Sequence, residues 1–215
     1  MSLVIGVCDY GVGNLRSVER ALRASGAEAV ISDEPETIAD CAGVVLPGVG
    51  AFAIAARALH ERGLGEAVRH VASAGRPVLG VCLGHQLLFE RSDEGPGGAG
   101  LGLLLGEVTR LAPGTGLKVP HMGWNTLTRV AAASTLLAGV SAGSYMYFVH
   151  SYAAVPVPGD VAATTDYGGT FAAAVESGNV AGTQFHPEKS GAAGLRVYAN
   201  FVAACALQAS AGRVS

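Results

Sequence analysis

Along the first half of the chain, apolar residues come in short unbroken runs, each closed by a polar, glycine-punctuated stretch. Leu3-Val4-Ile5-Gly6-Val7-Cys8, 28–32, 43–46 and Arg76-Pro77-Val78-Leu79 read as strands, and the continuous ones read as strands buried on both faces of a parallel sheet. Between these runs the apolar period lengthens to three and four. Leu15, Val18, Leu22 and Ser25 mark one helix face, Phe52, Ala55, Ala56 and Leu59 a second, and 64–73 a third; Leu87-Leu88-Phe89 reads as the start of a fourth helix, and 35–40 as a turn or short helix. Beyond Gly102 the pattern shortens to strand-like segments at 107–111, 124–130, 145–149, 161–166 and 170–176, separated by Gly, Pro or Asp, with 180–185 as a last strand. Leu195, Tyr198, Phe201, Val202 and Cys205 form the apolar face of a closing helix, and the residues after Leu207 read as a frayed tail. Alternating strands and helices followed by a strand-rich half predict an α/β fold: a mixed sheet with antiparallel additions at an edge.

Composition narrows the class. The 215 residues hold one domain with a sizeable core, 1–207, and half of them are hydrophobic. Charged residues are 14% and the net charge is −3, which leaves no basic footprint for nucleic acid or an anionic membrane. No apolar run approaches the ~20 residues that cross a bilayer, and the chain opens on a strand instead of a signal peptide, so a cytosolic protein is expected. Cys8, Cys41, Cys82 and Cys205 are widely spaced without a C-x-x-C pair, and they read as reduced thiols without zinc.

The chemistry centres on Gly80-Val81-Cys82-Leu83-Gly84-His85-Gln86. Here a cysteine sits on the turn between a buried strand and a helix, with glycines on either side. Small residues permit the sharp turn that lifts a nucleophile clear of a sheet, and a helix N-terminus favours the thiolate. A buried structural cysteine would look the same. A base need not be near in sequence. After the strand at 180–185 comes His186-Pro187-Glu188, in which Pro187 fixes the chain so that His186 and Glu188, two apart in extended backbone, project the same way. Glu188 then orients the imidazole to take a proton from sulfur. Such a pair alone is commonly a surface feature; joined to the cysteine turn it is specific.

Three loops add detail. Gly11-Val12-Gly13-Asn14-Leu15-Arg16 lacks the third glycine of a dinucleotide-binding turn, which argues against a nucleotide cofactor there. Pro47-Gly48-Val49-Gly50, at the end of a central strand, either forms a tight turn or frees backbone N–H groups to face a developing oxyanion. Pro120-His121-Met122-Gly123-Trp124-Asn125 holds the single tryptophan beside a methionine, a pairing that fits a core and also an interface.

GVCLGHQ followed a hundred residues later by QFHPEKS resembles the class I (triad) glutamine amidotransferases. That resemblance implies a three-layer, flavodoxin-like fold with helices on both faces of the sheet. DYGVGNLRSV at 9–18, LPGVGAF at 46–52, KVPHMGWN at 118–125, YFVHSY at 147–152 and QFHPEKSG at 184–191 span nearly the whole chain. They are similar to the branch that serves imidazole glycerol phosphate synthase in histidine biosynthesis, in which Met is common at the position of His85. GHQ itself is similar to the anthranilate and folate-type amidotransferases, an alternative affiliation; a non-catalytic module of the same fold is another.

The resemblance implies Cys82, His186 and Glu188 as catalytic groups and the N–H groups of Gly50 and Leu83 as oxyanion donors. It implies Gln86, Glu94 and Ser151 as glutamine contacts, and Asn14, Met122, Trp124, Tyr147 and Lys189 as the contact with a partner. That partner would be a (β/α)₈-barrel cyclase forming a heterodimer with this chain. Neither metal nor organic cofactor is implied.

Overall fold

A computed structural model describes residues 3–211. Nine strands form the main sheet among the described residues, in the spatial order β2(Glu28–Ser32), β1(Val4–Cys8), β3(Gly43–Gly48), β4(Val78–Cys82), β13(Val180–Thr183), β12(Thr170–Ser177), β11(Val161–Asp166), β8(His121–Val130), β9(Tyr145–His150). The first five run parallel, and the neighbours from β13 to β9 pair antiparallel. The division largely follows the sequence: β1 to β4 are joined through helices, and the antiparallel strands lie in the stretch where helical periods cease, from which β13 returns by a tight turn after β12 to pair parallel with β4.

Each face of the sheet carries its own core. On one face α1(Leu15–Ala24) and α6(Gly191–Ala211) pack Val18, Leu22, Val197, Tyr198 and Phe201 against Ile5, Val7, Leu79 and Val81. On the other, α2(Pro35–Asp40), α3(Phe52–Glu61), α4(Leu64–Ser73) and α5(Leu83–Leu87) bring Ile38, Phe52, Leu59, Val68 and Leu87 against Val44, Leu46 and Val78. Alternate residues of the central strands feed opposite cores, as the two-residue strand period requires. Helices therefore cover both faces, and the continuous apolar runs were the sign of it.

Several boundaries differ from the sequence reading. β4 extends to Cys82, and the helix after it is Leu83–Leu87, so Leu87-Leu88-Phe89 ends that helix instead of starting one. Leu87, Leu88 and Phe89 are fully buried, an all-round burial that hides helical phase. β8 starts at His121, three residues before the expected strand. A second, four-stranded sheet was not anticipated: β10(Tyr152–Pro156), β7(Gly106–Arg110), β5(Arg91–Ser92) and β6(Gly98–Ala99). β5 and β6 are two residues each, too short for any period to show, and β6 lies inside the glycine-rich 94–100 stretch that reads as a loop. α6 continues to Ala211, past the expected end at 207, and the remainder of the predicted tail, 212–215, lies outside the described residues.

Candidate active site

β4 lies between β3 and β13, with Cys82 opposite Gly48 on one side and Val81 opposite Thr183 on the other. The carboxyl ends of these three strands thus collect the Pro47–Gly50 loop, the cysteine turn and the 184–188 segment at one edge, where open α/β sheets bind ligands.

Cys82 has φ +55 and ψ −110, and it is the only non-glycine residue with positive φ among those described. A side chain held there is strained, and such strain concentrates at functional sites. Its neighbours explain how the turn closes. A Cβ on Gly84 would run into the Leu46 carbonyl, and one on Gly80 would lie 2.6 Å from His85 Cα, so the helix can fold back on β3 and β4 only over glycines. α5 is five residues long, and its dipole is correspondingly small.

His186 Nδ1 lies 2.8 Å from Glu188 Oε1, and both side chains are almost wholly buried. Pro187 begins a short 3₁₀ turn, Pro187–Lys189, which brings the carboxylate back to the imidazole; this turn, not the expected extended backbone, sets the pair. Tyr198 Oη reaches the other carboxylate oxygen at 3.5 Å from α6. Burial opposes the imidazolium, but the facing Cys82 and Glu188 outweigh it and raise the His186 pKa to about 9. His186 Nε2 is buried without a partner of full hydrogen-bond geometry, and the group it faces is the Cys82 sulfur. The sulfur itself points at the Val149 carbonyl, 3.7 Å away.

A cavity of about 280 Å³ opens on Cys82, lined by Gly50, Leu83, Gln86, Glu94, Pro120 and Ser151 among others. A larger one, about 350 Å³, lies among Thr109, Val155 and Phe171 and contains none of these reactive groups, so size does not locate the chemistry. Gly50 has φ +102 with nothing within 4 Å of a built Cβ; backbone conformation, not space, calls for glycine there. Gln86 Nε2 donates to the Tyr152 carbonyl at 2.9 Å and to Gln184 Oε1 at 3.0 Å, which leaves Oε1 as the atom it can offer a ligand. Glu94 Oε2 accepts the Phe52 N–H at 2.8 Å, fastening its loop to the first turn of α3, just beyond Gly50.

Met122 and Trp124 are 63% and 56% exposed, which decides between core and surface in favour of surface. Trp124 stands edge-on to Tyr147 at 6.0 Å, and Lys189 Nζ lies 5.6 Å from the Tyr147 ring centre. Asn14 is exposed at the start of α1, where its side chain makes no capping hydrogen bond. The family model for class-I glutamine amidotransferases matches residues 6–205. The chain belongs to that family. Its relatives include proteins named imidazole glycerol phosphate synthase subunit HisH. The one from Moorella thermoacetica is 50% identical, covering 92% of this chain and 93% of its own. For Symbiobacterium thermophilum the figures are 52%, with 92% of each chain, and for Methanothermobacter thermautotrophicus 49%, with 93% and 98%. Among solved structures, a glutamine amidotransferase superposes with TM-score 0.74 at 21% identity, covering 94% of this chain and 98% of the other. PurLQS from Thermotoga maritima gives 0.71 at 21%, with 94% and 99% covered. At such identities the structures speak for the fold, and it is the class I amidotransferase fold.

Membership places the site without assigning every residue. His85 does not line the Cys82 cavity: its ring packs over Gly182 and edge-on to Phe89, fully buried, with both nitrogens unpartnered and its pKa lowered by burial and His150 to about 3. It is a core residue. Cys8, Cys41 and Cys205 are free and buried, and burial raises the pKa of each. No helix among the described residues is long and apolar enough to cross a membrane. Missed altogether was Gln184, whose Nε2 lies 3.9 Å from Cys82 Sγ. The two-residue strand period running out of 180–185 puts residue 184 on the same side as His186, and that signal would have found it.

Proposed function

We propose that this chain is the glutaminase subunit of an imidazole glycerol phosphate synthase of histidine biosynthesis, acting in the cytoplasm. The Cys82 thiolate attacks the carboxamide carbon of glutamine, and the N–H groups of Gly50 and Leu83 take up the tetrahedral oxyanion. The strained backbone of Cys82 beside the buried His186–Glu188 pair is the observation that carries this reading. His186, already holding a proton, gives it to the departing nitrogen, and ammonia leaves a γ-glutamyl thioester. With sulfur acylated, the negative charge that helped raise the His186 pKa is gone, so the imidazole becomes a base and activates water; glutamate departs and the thiolate returns. Gln86 Oε1, Ser151 and the carboxylate of Glu94 hold the amino-acid end of the substrate, with Glu94 facing its ammonium.

Ammonia released into water near neutral pH is protonated and loses its nucleophilicity, so it must pass directly to a second site. One domain of this size has no room for that site, and a (β/α)₈-barrel cyclase supplies it in a heterodimer. Asn14, Met122, Trp124, Tyr147 and Lys189 form the contact. The deciding experiment is Cys82→Ala: synthesis fed by glutamine stops, while synthesis fed by ammonium salt in the complex continues. Glutamine hydrolysis surviving in the alanine variant would refute the assignment.

A further inference from the structure

One largely buried polar network enters this mechanism only through Gln86 Oε1. It begins at Asn125, whose Nδ2 donates to the Asp166 carbonyl at 2.8 Å and stands 3.3 Å from His121 Nε2. His121 Nδ1 lies 2.9 Å from His150 Nε2, and His150 Nδ1 lies 2.8 Å from the Tyr152 carbonyl. A carbonyl only accepts, so His150 carries its proton on Nδ1 and accepts at Nε2. His121 must then donate from Nδ1 and accept from Asn125, and every tautomer along the pair is fixed. The same Tyr152 carbonyl also accepts Gln86 Nε2, which turns that NH₂ group toward Gln184 and makes the facing atom of Gln184 its oxygen. The remaining end of the Gln184 carboxamide, the NH₂, is therefore the end that faces Cys82 Sγ at 3.9 Å. His121, His150, Gln86 and Gln184 are all buried, so reversing any one amide or ring would leave donors facing donors away from water.

We propose that Gln184 is a further catalytic residue, donating from its side-chain amide to the Cys82 thiolate, with Gln86 as the positioning residue that aims it. A second donor adds to the facing His186 imidazole in holding the thiolate. The remaining close polar neighbour is the Val149 carbonyl, which accepts a thiol proton but repels a thiolate, and α5 is too short to contribute much dipole. Gln184 Nε2 donates to that sulfur at 3.9 Å. The titratable groups facing it are His186 and Tyr10, and Tyr10 is occupied in donating to the Pro47 carbonyl at 2.5 Å. The inference rests on the proposed glutaminase reading for its consequence, but its test does not use glutamine.

The experiment is the pH dependence of Cys82 alkylation by iodoacetamide, followed by mass spectrometry on the full chain. Gln184→Glu keeps the acceptor for Gln86 and replaces the donor with a carboxylate, so the midpoint rises by a unit or more, a tenfold slower reaction below it. Gln184→Met, which removes the donor without adding charge, gives a smaller rise in the same sense. Unchanged midpoints in folded Gln184 variants, checked by melting temperature, overturn the proposal. A measurement on the unmutated protein stands independently: the Gln184 side-chain amide protons shift with Cys82 ionisation in NMR spectra, and the shift vanishes in Cys82→Ser. An amide indifferent to that ionisation also overturns it. Neither result touches the Cys82→Ala test of the reaction itself.

Discussion

The backbone N–H of His186 donates to the carbonyl of Tyr147 at 2.9 Å, and the N–H of Tyr147 donates in return to Ser190 Oγ at 3.0 Å, four residues further along the same turn. Ser190 closes the circuit by donating to the His186 carbonyl. The turn that holds the imidazole is thus stitched to a strand whose outer surface carries Tyr147 with Trp124 and Lys189 around it. Whatever docks on that surface presses on the segment that positions His186. Trp124→Ala and Tyr147→Ala should each weaken the complex with the proposed cyclase subunit by roughly 10- to 100-fold, in the range of ~1.4–3 kcal/mol typical of aromatic anchors. Calorimetric titration of the two subunits checks this; unaltered affinity in both variants would move the interface elsewhere.

The Glu188 carboxylate fixes which nitrogen of His186 carries the proton, so its loss should act on turnover more than on substrate binding. Glu188→Gln is expected to lower kcat for glutamine hydrolysis by about 10²- to 10⁴-fold with a smaller change in KM, the scale seen when the orienting acid of a triad is neutralised. In NMR titrations the imidazole midpoint, near 9 in the unmutated chain, should fall in the same variant because one of the groups raising it has lost its charge. A midpoint unmoved by the substitution would mean that the carboxylate does not act on this ring.

Four buried histidines give opposite pH signatures. Burial lowers His85 to about 3, and His121 and His150 to about 4, so the unfolded chain binds protons that the folded one refuses; stability is lost as pH falls below about 6.5 toward 4. His186 is raised to about 9, so its contribution is complete below about 6.5 and disappears as pH climbs through 9. Urea unfolding across this range should show maximal stability near pH 6.5. His85→Met, which fills the same space without two unsatisfied nitrogens, should stabilise the chain by about 1–3 kcal/mol and flatten the acid limb. An acid limb of unchanged slope would show that His85 does not contribute to it.

Much of the site was legible because its signals are local. Glycines beside Cys82 and the His-Pro-Glu spacing are properties of a few consecutive residues, and the structure brings both to the ends of adjacent strands. The inventory around them was harder to read. Glu94 reads as a solvated carboxylate, yet it ties its loop to Phe52, forty-two residues away, because the N-terminus of α3 leaves an N–H unpaired there. The second sheet escaped notice since its two shortest strands are defined only by the partners they find.

By itself the sequence determined where strands and helices alternate, that both faces of the parallel strands are buried, and which cysteine stands on a strained turn, because periodicity and glycine placement act over a few residues. Only the tertiary structure decided that Trp124 is exposed, that His85 is core, and that Gln184 turns its NH₂ to Cys82. Each of those outcomes depends on strand order and on a hydrogen-bond acceptor contributed from a distant segment. Residues some hundred apart, such as Gln86 and Gln184, meet because β4 and β13 are neighbours in the sheet, and no local pattern records that adjacency.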